Sequence, residues 1–247
     1  MASRIRGIFF DLGDTLLDFG QVDIPTIFES GARLAYDYLK SLGKSLPSFA
    51  AYHRRQLWAI RWSYFKSRLT RREFDAADLI ARLADRMGHD LTEPQVTELA
   101  WLWYEPLSRC ATAEPGLQDT LRALADGGRT LGVISNTFIP AAALDRHLEG
   151  AGLLDLLPVR VYSCAIRYRK PHPAIFRAAL EQAGIGPEEA MFVGDSPQAD
   201  ILGANRVGMI SVLKDPAGRH RDCPSQPNHR ISHLAELPAL VAAYEGR

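Results

Sequence analysis

Asp11, Lys170 and Asp195 are the residues of this chain whose types and positions could together hold an anion or a metal ion. Asp11 ends the apolar run that begins at Ile5, and Asp195 follows the run Ala190 to Val193 and its Gly194. Ser135 and Asn136 close a third such run that starts at Thr130. Short apolar runs of this kind read as strands buried on both faces, so each polar group stands at the carboxyl end of a strand. Open parallel sheets bind their ligands there, and three strand ends therefore converge on one crevice. Lys170 lies in YRKPHPAIF, just ahead of a helix that Pro173 opens at its first position, and it brings a cation to the two carboxylates. Ser196 and Pro197 cap and open the helix after Asp195, which sets that carboxylate beside a positive helix end, a natural oxyanion or metal locus. Taken singly, each residue reads better as a cap or a member of a buried ion pair. Taken together, two acids and a lysine are costly to bury unless an ion or ligand completes the set.

The elements that must position these groups follow from the hydrophobic pattern. Further apolar runs at Val159 to Ser163 and Met209 to Leu213 alternate with helical stretches near 116–127, 140–150, 173–184 and 197–207. Alternation of this kind predicts an α/β fold with a doubly wound parallel sheet. Between roughly residues 20 and 110 the rhythm stops, and long amphipathic stretches punctuated at Gly43, Pro47, Gly88, Pro94 and Pro106 predict an all-helical insert. A lone first strand cannot form a domain, so residues 1–19 and 111–247 are expected to make one discontinuous core domain, with 20–110 as an inserted helical domain.

Composition narrows the partners. The 247 residues carry 29 basic and 29 acidic side chains, so no global field holds a polyanion, and nucleic acid is not an expected partner. Cys110, Cys164 and Cys223 are odd in number and lack a CxxC, which fits a reducing compartment better than a disulfide framework or a zinc ribbon. The opening MASRIRGIFF lacks the long apolar region of an export signal, and charges interrupt every window long enough to span a bilayer. A soluble, cytoplasmic protein with no membrane partner is the expectation. Oligomeric state is not legible.

FFDLGDTLL, VISNT, RKPHPAIF and FVGDSPQADILGA, in that order, resemble the four motifs of the haloacid dehalogenase superfamily, and the insert resembles the helical C1-type cap of one of its subclasses. The resemblance implies a Mg²⁺-dependent hydrolase acting on a small phosphorylated metabolite, with a cap that closes to exclude water and choose the substrate. Carried over motif by motif, it makes Asp11 the nucleophile that forms an aspartyl-phosphate. It makes Ser135 the phosphate-binding hydroxyl, with Asn136 beside it, and Lys170 the neutralising cation. Asp195 becomes the Mg²⁺ ligand, Asp200 the supporting acid one helical turn beyond, and Gly13 the source of a backbone carbonyl to the metal alongside Asp11.

The departure lies at Gly13, where phosphatases of this family usually carry an Asp that serves as general acid and base. Positioned acid catalysis contributes typically ~10² to 10⁴-fold, so its loss should hurt poor leaving groups most. Asp14 is one residue further on, with its side chain expected to project differently; turn stabilisation is its expected role and replacement of the missing acid the alternative. Family members with other residues at this position include dehalogenases and phosphonatases, so cleavage of a carbon–halogen or phosphorus–carbon bond is a rival reaction. A phosphonatase would need a cap lysine as Schiff base, and Lys40, Lys44 and Lys66 are available. A catalytically weak phosphate sensor or protein-binding partner is the non-enzymatic rival.

Two further patterns carry alternatives. From His53 to Arg72, Arg54, Arg55, Arg61, Lys66, Arg68, Arg71 and Arg72 occur without an acid, interleaved with Trp58, Trp62, Tyr64 and Phe65. On a helical wheel Trp58, Trp62, Phe65 and Leu69 form one apolar arc and Leu57, Ile60 and Tyr64 another. Arg54, Arg61 and Arg68 fall between them, as a basic line that either overlooks the cleft and binds the phosphorylated substrate or forms a solvated face or subunit contact. Trp101 and Trp103 read as insert core. His220, Cys223, His229 and His233 superficially suggest a soft-metal site, but match no zinc spacing and read better as a surface loop.

Overall fold

The computed structural model describes residues 4–70 and 72–246, so Arg71 of the basic stretch lies outside the described residues. Six parallel strands form the main sheet: β1 (Gly7–Phe10), β4 (Thr130–Ser135), β5 (Val159–Tyr162), β6 (Ala190–Gly194), β7 (Ile210–Lys214) and β8 (His229–Ile231), in the order β5-β4-β1-β6-β7-β8. The chain leaves central β1 for β4 and β5 on one side, then returns to β6 and β7 on the other. That reversal beside β1 opens a crevice at the strands' carboxyl ends.

The strand runs alternate between two cores because successive side chains point to opposite faces. Ile8, Phe10, Val133, Met191 and Val193 join one buried cluster, while Phe9, Ile134, Phe192 and Phe176 join the other. Helices cover both faces, among them α5 (Leu117–Asp126), α6 (Ala141–Gly150), α8 (Pro173–Ala183), α9 (Leu202–Val207) and α10 (Leu237–Glu245). The doubly wound parallel sheet expected from the pattern is therefore present.

Residues between β1 and β4 form four long helices, α1 (Ile24–Ser41), α2 (Phe49–Thr70), α3 (Ala76–Asp85) and α4 (Glu93–Ser108). They bury a core of their own built on Ala32, Ala35, Tyr36, Leu39, Tyr52 and Leu99. Two features went beyond the sequence pattern. Leu17–Asp18 (β2) pairs antiparallel with Thr112–Ala113 (β3), making a ribbon where the chain enters and leaves the helices. β8 adds an edge strand in the polar C-terminal region, where three residues are too short to show a period. Ser163, expected to end a strand, instead begins the four-residue helix α7 (Ser163–Ile166).

The three cysteines are free. Among the described residues no helix is long and apolar enough to cross a membrane.

Candidate active site

Asp11 follows β1 directly, and its backbone N–H donates to the carbonyl of Val193 on β6 at 2.9 Å. The Asp11 carboxylate accepts from the Leu12 N–H at 2.8 Å, which fixes its aim. Lys170 reaches the same oxygen from the other side of the crevice, its Nζ 2.7 Å from Asp11 Oδ1 and 2.8 Å from Asp200 Oδ1. The lysine side chain is buried, with its ammonium 5.1 Å from the centre of the Phe192 ring.

Asn136 holds Lys170 in place. Its Oδ1 accepts from the Lys170 N–H at 2.6 Å and its Nδ2 donates to the Lys170 carbonyl at 3.1 Å. Read as a substrate-binding group in the sequence, Asn136 has both ends of its amide on the Lys170 backbone. Ser135, the last residue of β4, is buried and lines the cavity above Asp11.

Asp195 follows β6 and Asp200 sits on the next turn. The sequence pattern predicts an α-helix there from residue 197, but Pro197–Ile201 forms a π-helical turn before α9 begins. The wider turn lets the Asp200 carboxylate fold back on its own start: Oδ2 accepts from the Ser196 N–H at 3.0 Å, while Oδ1 meets Lys170. Gly194 makes room for this, since a Cβ there would come 2.4 Å from Asp200 Cγ. Gly194→Ala is accordingly expected to overpack the site and cost about 1–3 kcal/mol, read as a lower urea midpoint; an unchanged midpoint would show that the carboxylate has room to shift.

Asp11, Asp195 and Asp200 each bring a carboxylate oxygen within 4.8 Å of the others. Against these three acids stands one ammonium, leaving two negative charges in excess when all are ionised. Burial, opposed by Lys170 and reinforced by Asp200, pushes the Asp11 carboxyl up to about 7. Burial and the neighbouring Asp200 and Asp14 push Asp195 up to about 6. Burial works to lower the Lys170 pKa, but Asp11 and Asp200 outweigh it and hold the ammonium above the ordinary lysine value. Hard oxygen donors with an uncompensated charge suit a divalent cation such as Mg²⁺, so the residues present fit the metal.

Gly13 and Asp14 form the turn after Asp11 and line the same cavity. Asp14 adopts a left-handed backbone, φ 58°, and its N–H donates to the Leu17 carbonyl at 2.8 Å, which is turn stabilisation. A Cβ on Gly13 would meet the Phe19 ring at 3.7 Å, ordinary van der Waals contact, so the position is glycine without a steric need for it.

The cavity encloses about 440 Å³ between these strand ends and the four long helices. Arg54 and Arg61, expected to face it, are exposed and lie outside its lining; α2 instead presents Gln56, Ile60 and Tyr64. The other apolar arc of α2 also faces outward, with Trp58, Trp62, Phe65 and Leu69 at least half exposed. Trp103 packs edge-on against Phe28 as a core residue would, yet it lines the cavity as well. Lys40, Lys44 and Lys66 are absent from the lining, and Lys44 is bonded to the Asp90 carbonyl at 3.1 Å, so none stands ready as a Schiff-base amine.

Arg169 was not singled out by sequence, although it precedes Lys170. It lines the cavity and pairs with Glu73, a fully buried carboxylate that also accepts from Ser67 and Ser163 at 3.2 Å each. Glu73 lies just beyond α2, so this pair ties the helical segment to the rim of the crevice. In the C-terminal loop, Asp215 accepts from the N–H groups of Arg219 and His220 at 2.9 Å each. Among the described residues His220, Cys223, His229 and His233 form no group close enough to share a metal.

Residues 5–208 match the family model for haloacid dehalogenase-like hydrolases, and the chain belongs to that family. A phosphoserine phosphatase from Thermus thermophilus is 39% identical over 90 residues, a match that spans only 36% of either chain. A glyceraldehyde 3-phosphate phosphatase from Pyrococcus furiosus is 27% identical over 98% of this chain and 94% of its own length. The solved structure of a 2-haloacid dehalogenase from Pseudomonas syringae superposes with a TM-score of 0.65 at 27% identity, covering 97% of this chain and 99% of that one. The expected family and its hydrolase class therefore stand.

Proposed function

We propose that the protein is a Mg²⁺-dependent phosphatase that transfers the phosphoryl group of a small phosphate ester to Asp11. The observation that carries this reading is the charge imbalance at the crevice, where three carboxylates within 4.8 Å of one another face one lysine at the floor of the cavity. Two of the compared relatives are named as phosphatases, which supports it.

The placement of these groups supports the following roles. The free oxygen of Asp11 attacks phosphorus, the bond to the leaving oxygen breaks, and the leaving group departs with that electron pair. Water then attacks the phosphorus of the acyl phosphate, and the Asp11 carboxylate and inorganic phosphate are released. Lys170 balances charge on Asp11 and on the incoming phosphoryl group, and the Ser135 hydroxyl binds a phosphate oxygen. Asn136 acts through the Lys170 backbone as a positioning residue. Asp11, Asp195, Asp200 and the Gly13 carbonyl would hold Mg²⁺, which when bound supplies Lewis-acid stabilisation of the transferring oxygens. Residues 1–19 and 111–247 serve as the catalytic core and 20–110 as a cap, with the β2–β3 ribbon as the neck between them.

Metal binding should show in stability. The raised carboxyls of Asp11 and Asp195, about 7 and about 6 against an ordinary 3.8, keep protons that the unfolded chain releases earlier. The metal-free protein therefore loses stability as pH rises through that window and does not regain it above. Mg²⁺ relieves the same repulsion, so it should raise Tm more at about pH 8 than at about pH 5. An equal or absent shift at both would contradict the assignment.

The activity is tested with phosphate esters graded by leaving-group pKa, on the natural chain and on Gly13→Asp. With no acid at Gly13 the natural chain should show a steep dependence that the substitution flattens, raising alkyl ester rates by about 10²-fold or more. Equal alkyl ester rates in both proteins would remove Gly13 as the deficiency. The dehalogenase neighbour favours one rival, in which Asp11 displaces halide from carbon; metal-independent halide release without ester hydrolysis would establish it. Tight Mg²⁺-dependent phosphate binding without turnover would establish a sensor.

A further inference from the structure

We propose that the leaving group this site accepts is an aromatic ring, so that the substrate is a phenolic phosphate ester; this rests on the phosphoryl-transfer reading above. The cavity is polarised. Of its charged side chains, Asp11, Asp14, Lys170 and Asp195 come from the floor and Arg169 from the rim, where it is paired with Glu73, and every residue contributed by α1 to α4 is uncharged. Phe28, Ile60, Ile80, Trp103 and Leu107 make most of that roof apolar. The Tyr104 hydroxyl already pairs with His147 Nδ1 at 2.9 Å, and the Gln56 and Trp103 side chains hydrogen-bond Tyr52, so the polar groups above the floor are few and uncharged.

A leaving group bearing an ammonium or a carboxylate would lose its hydration beneath this roof and find no counter-charge there. A ring instead removes apolar area from water on both sides of the contact. The volume of about 440 Å³ lies in the range of small-molecule sites and accommodates a phosphate with a ring attached.

Gly13 points the same way by an independent argument. Where an acid would protonate the departing oxygen, this chain offers hydrogen and, behind it, the Phe19 ring within 4 Å of where a Cβ would stand. Phenols such as tyrosine ionise near pH ~10, far below alkyl alcohols. A phenolate therefore leaves with its electron pair unassisted and takes its proton from solvent afterwards. Roof and floor thus select the same chemical class, one through binding and the other through the reaction.

The test uses the full chain with Mg²⁺ and five esters: acetyl, phenyl, benzyl, glycerol and phosphoserine phosphates. Benzyl phosphate carries the ring on an alkyl oxygen, so it isolates binding from leaving-group chemistry. Its KM should lie about 10- to 100-fold below those of glycerol phosphate and phosphoserine, and phenyl phosphate should keep that low KM with a higher kcat. Ile60→Arg should erase the KM advantage of the ring. Should that variant fail to fold, benzylphosphonate against methylphosphonate as inhibitors of the natural chain reads the same preference. Hydrolysis of acetyl phosphate with no KM or inhibitor preference for the ring would overturn the substrate class and leave phosphoryl transfer standing. No hydrolysis of acetyl phosphate would overturn both.

Discussion

Asp11→Asn is expected to lower phosphate ester turnover by on the order of 10⁴-fold or more while leaving the fold in place. An amide oxygen is a poor nucleophile for phosphorus, and the acyl phosphate cannot form on it. The substitution is nearly isosteric, and the contacts that hold residue 11, its N–H to Val193 and its Oδ1 to the Leu12 N–H, survive in the amide rotamer that keeps oxygen on that side. It also removes one of the excess negative charges beside Asp200, so the metal-free variant should be no less stable than the natural chain. Loss of activity with an unchanged or higher Tm is the expected pair of results. Loss of activity with collapse of the fold would make Asp11 a structural residue first.

Lys170→Met should produce the largest stability effect. The ammonium is buried between Asp11 and Asp200 at 2.7 and 2.8 Å, and breaking a buried pair on one side leaves the other charges without a partner. The cost should be about 3–5 kcal/mol at neutral pH. Its sign with pH is set by Asp11: with Lys170 gone the Asp11 carboxyl rises further, and as pH falls it takes up a proton and the penalty shrinks. Urea midpoints of the metal-free variant should therefore approach the natural chain's as pH falls. A double variant with Asp200→Asn should lose much less than the sum of the single losses, since both act in one network. A penalty independent of pH would mean that packing against Phe192, not charge, holds the lysine.

These residues were legible because each is tied to an element boundary that its neighbours announce. Asp11 and Asp195 stand at the ends of apolar runs that read as strands, and Lys170 precedes a proline-started helix, so the sheet topology brings them to one crevice. Asp200 was recognisable through the family resemblance, but its aim depends on a π turn, and no residue pattern distinguishes that turn from the α-helix expected there. Asn136 sits where the sequence pattern puts it, yet its bonding to the Lys170 backbone spans 34 residues of chain and leaves no local trace.

The cavity roof was the least legible part. Arg54 and Gln56 are two residues apart, about 200° around a helix, so the choice of which faces the cleft is made by how α2 packs on its neighbours. Charge suggested the arginines, but it is Gln56, Ile60 and the still exposed Tyr64 that line the cavity. The edge strand β8 and the β2–β3 ribbon were missed for a related reason. Strands of two or three residues carry too little periodicity to read, and their pairing is decided by distant chain.

The most direct measurement is to mix the protein with Mg²⁺ and phenyl phosphate labelled on phosphorus, quench in acid within a turnover, and map the labelled peptide. Label on Asp11, absent from Asp11→Asn, is the predicted result. Ester hydrolysis that proceeds with no label on the protein, or with the label on another side chain, would contradict the account.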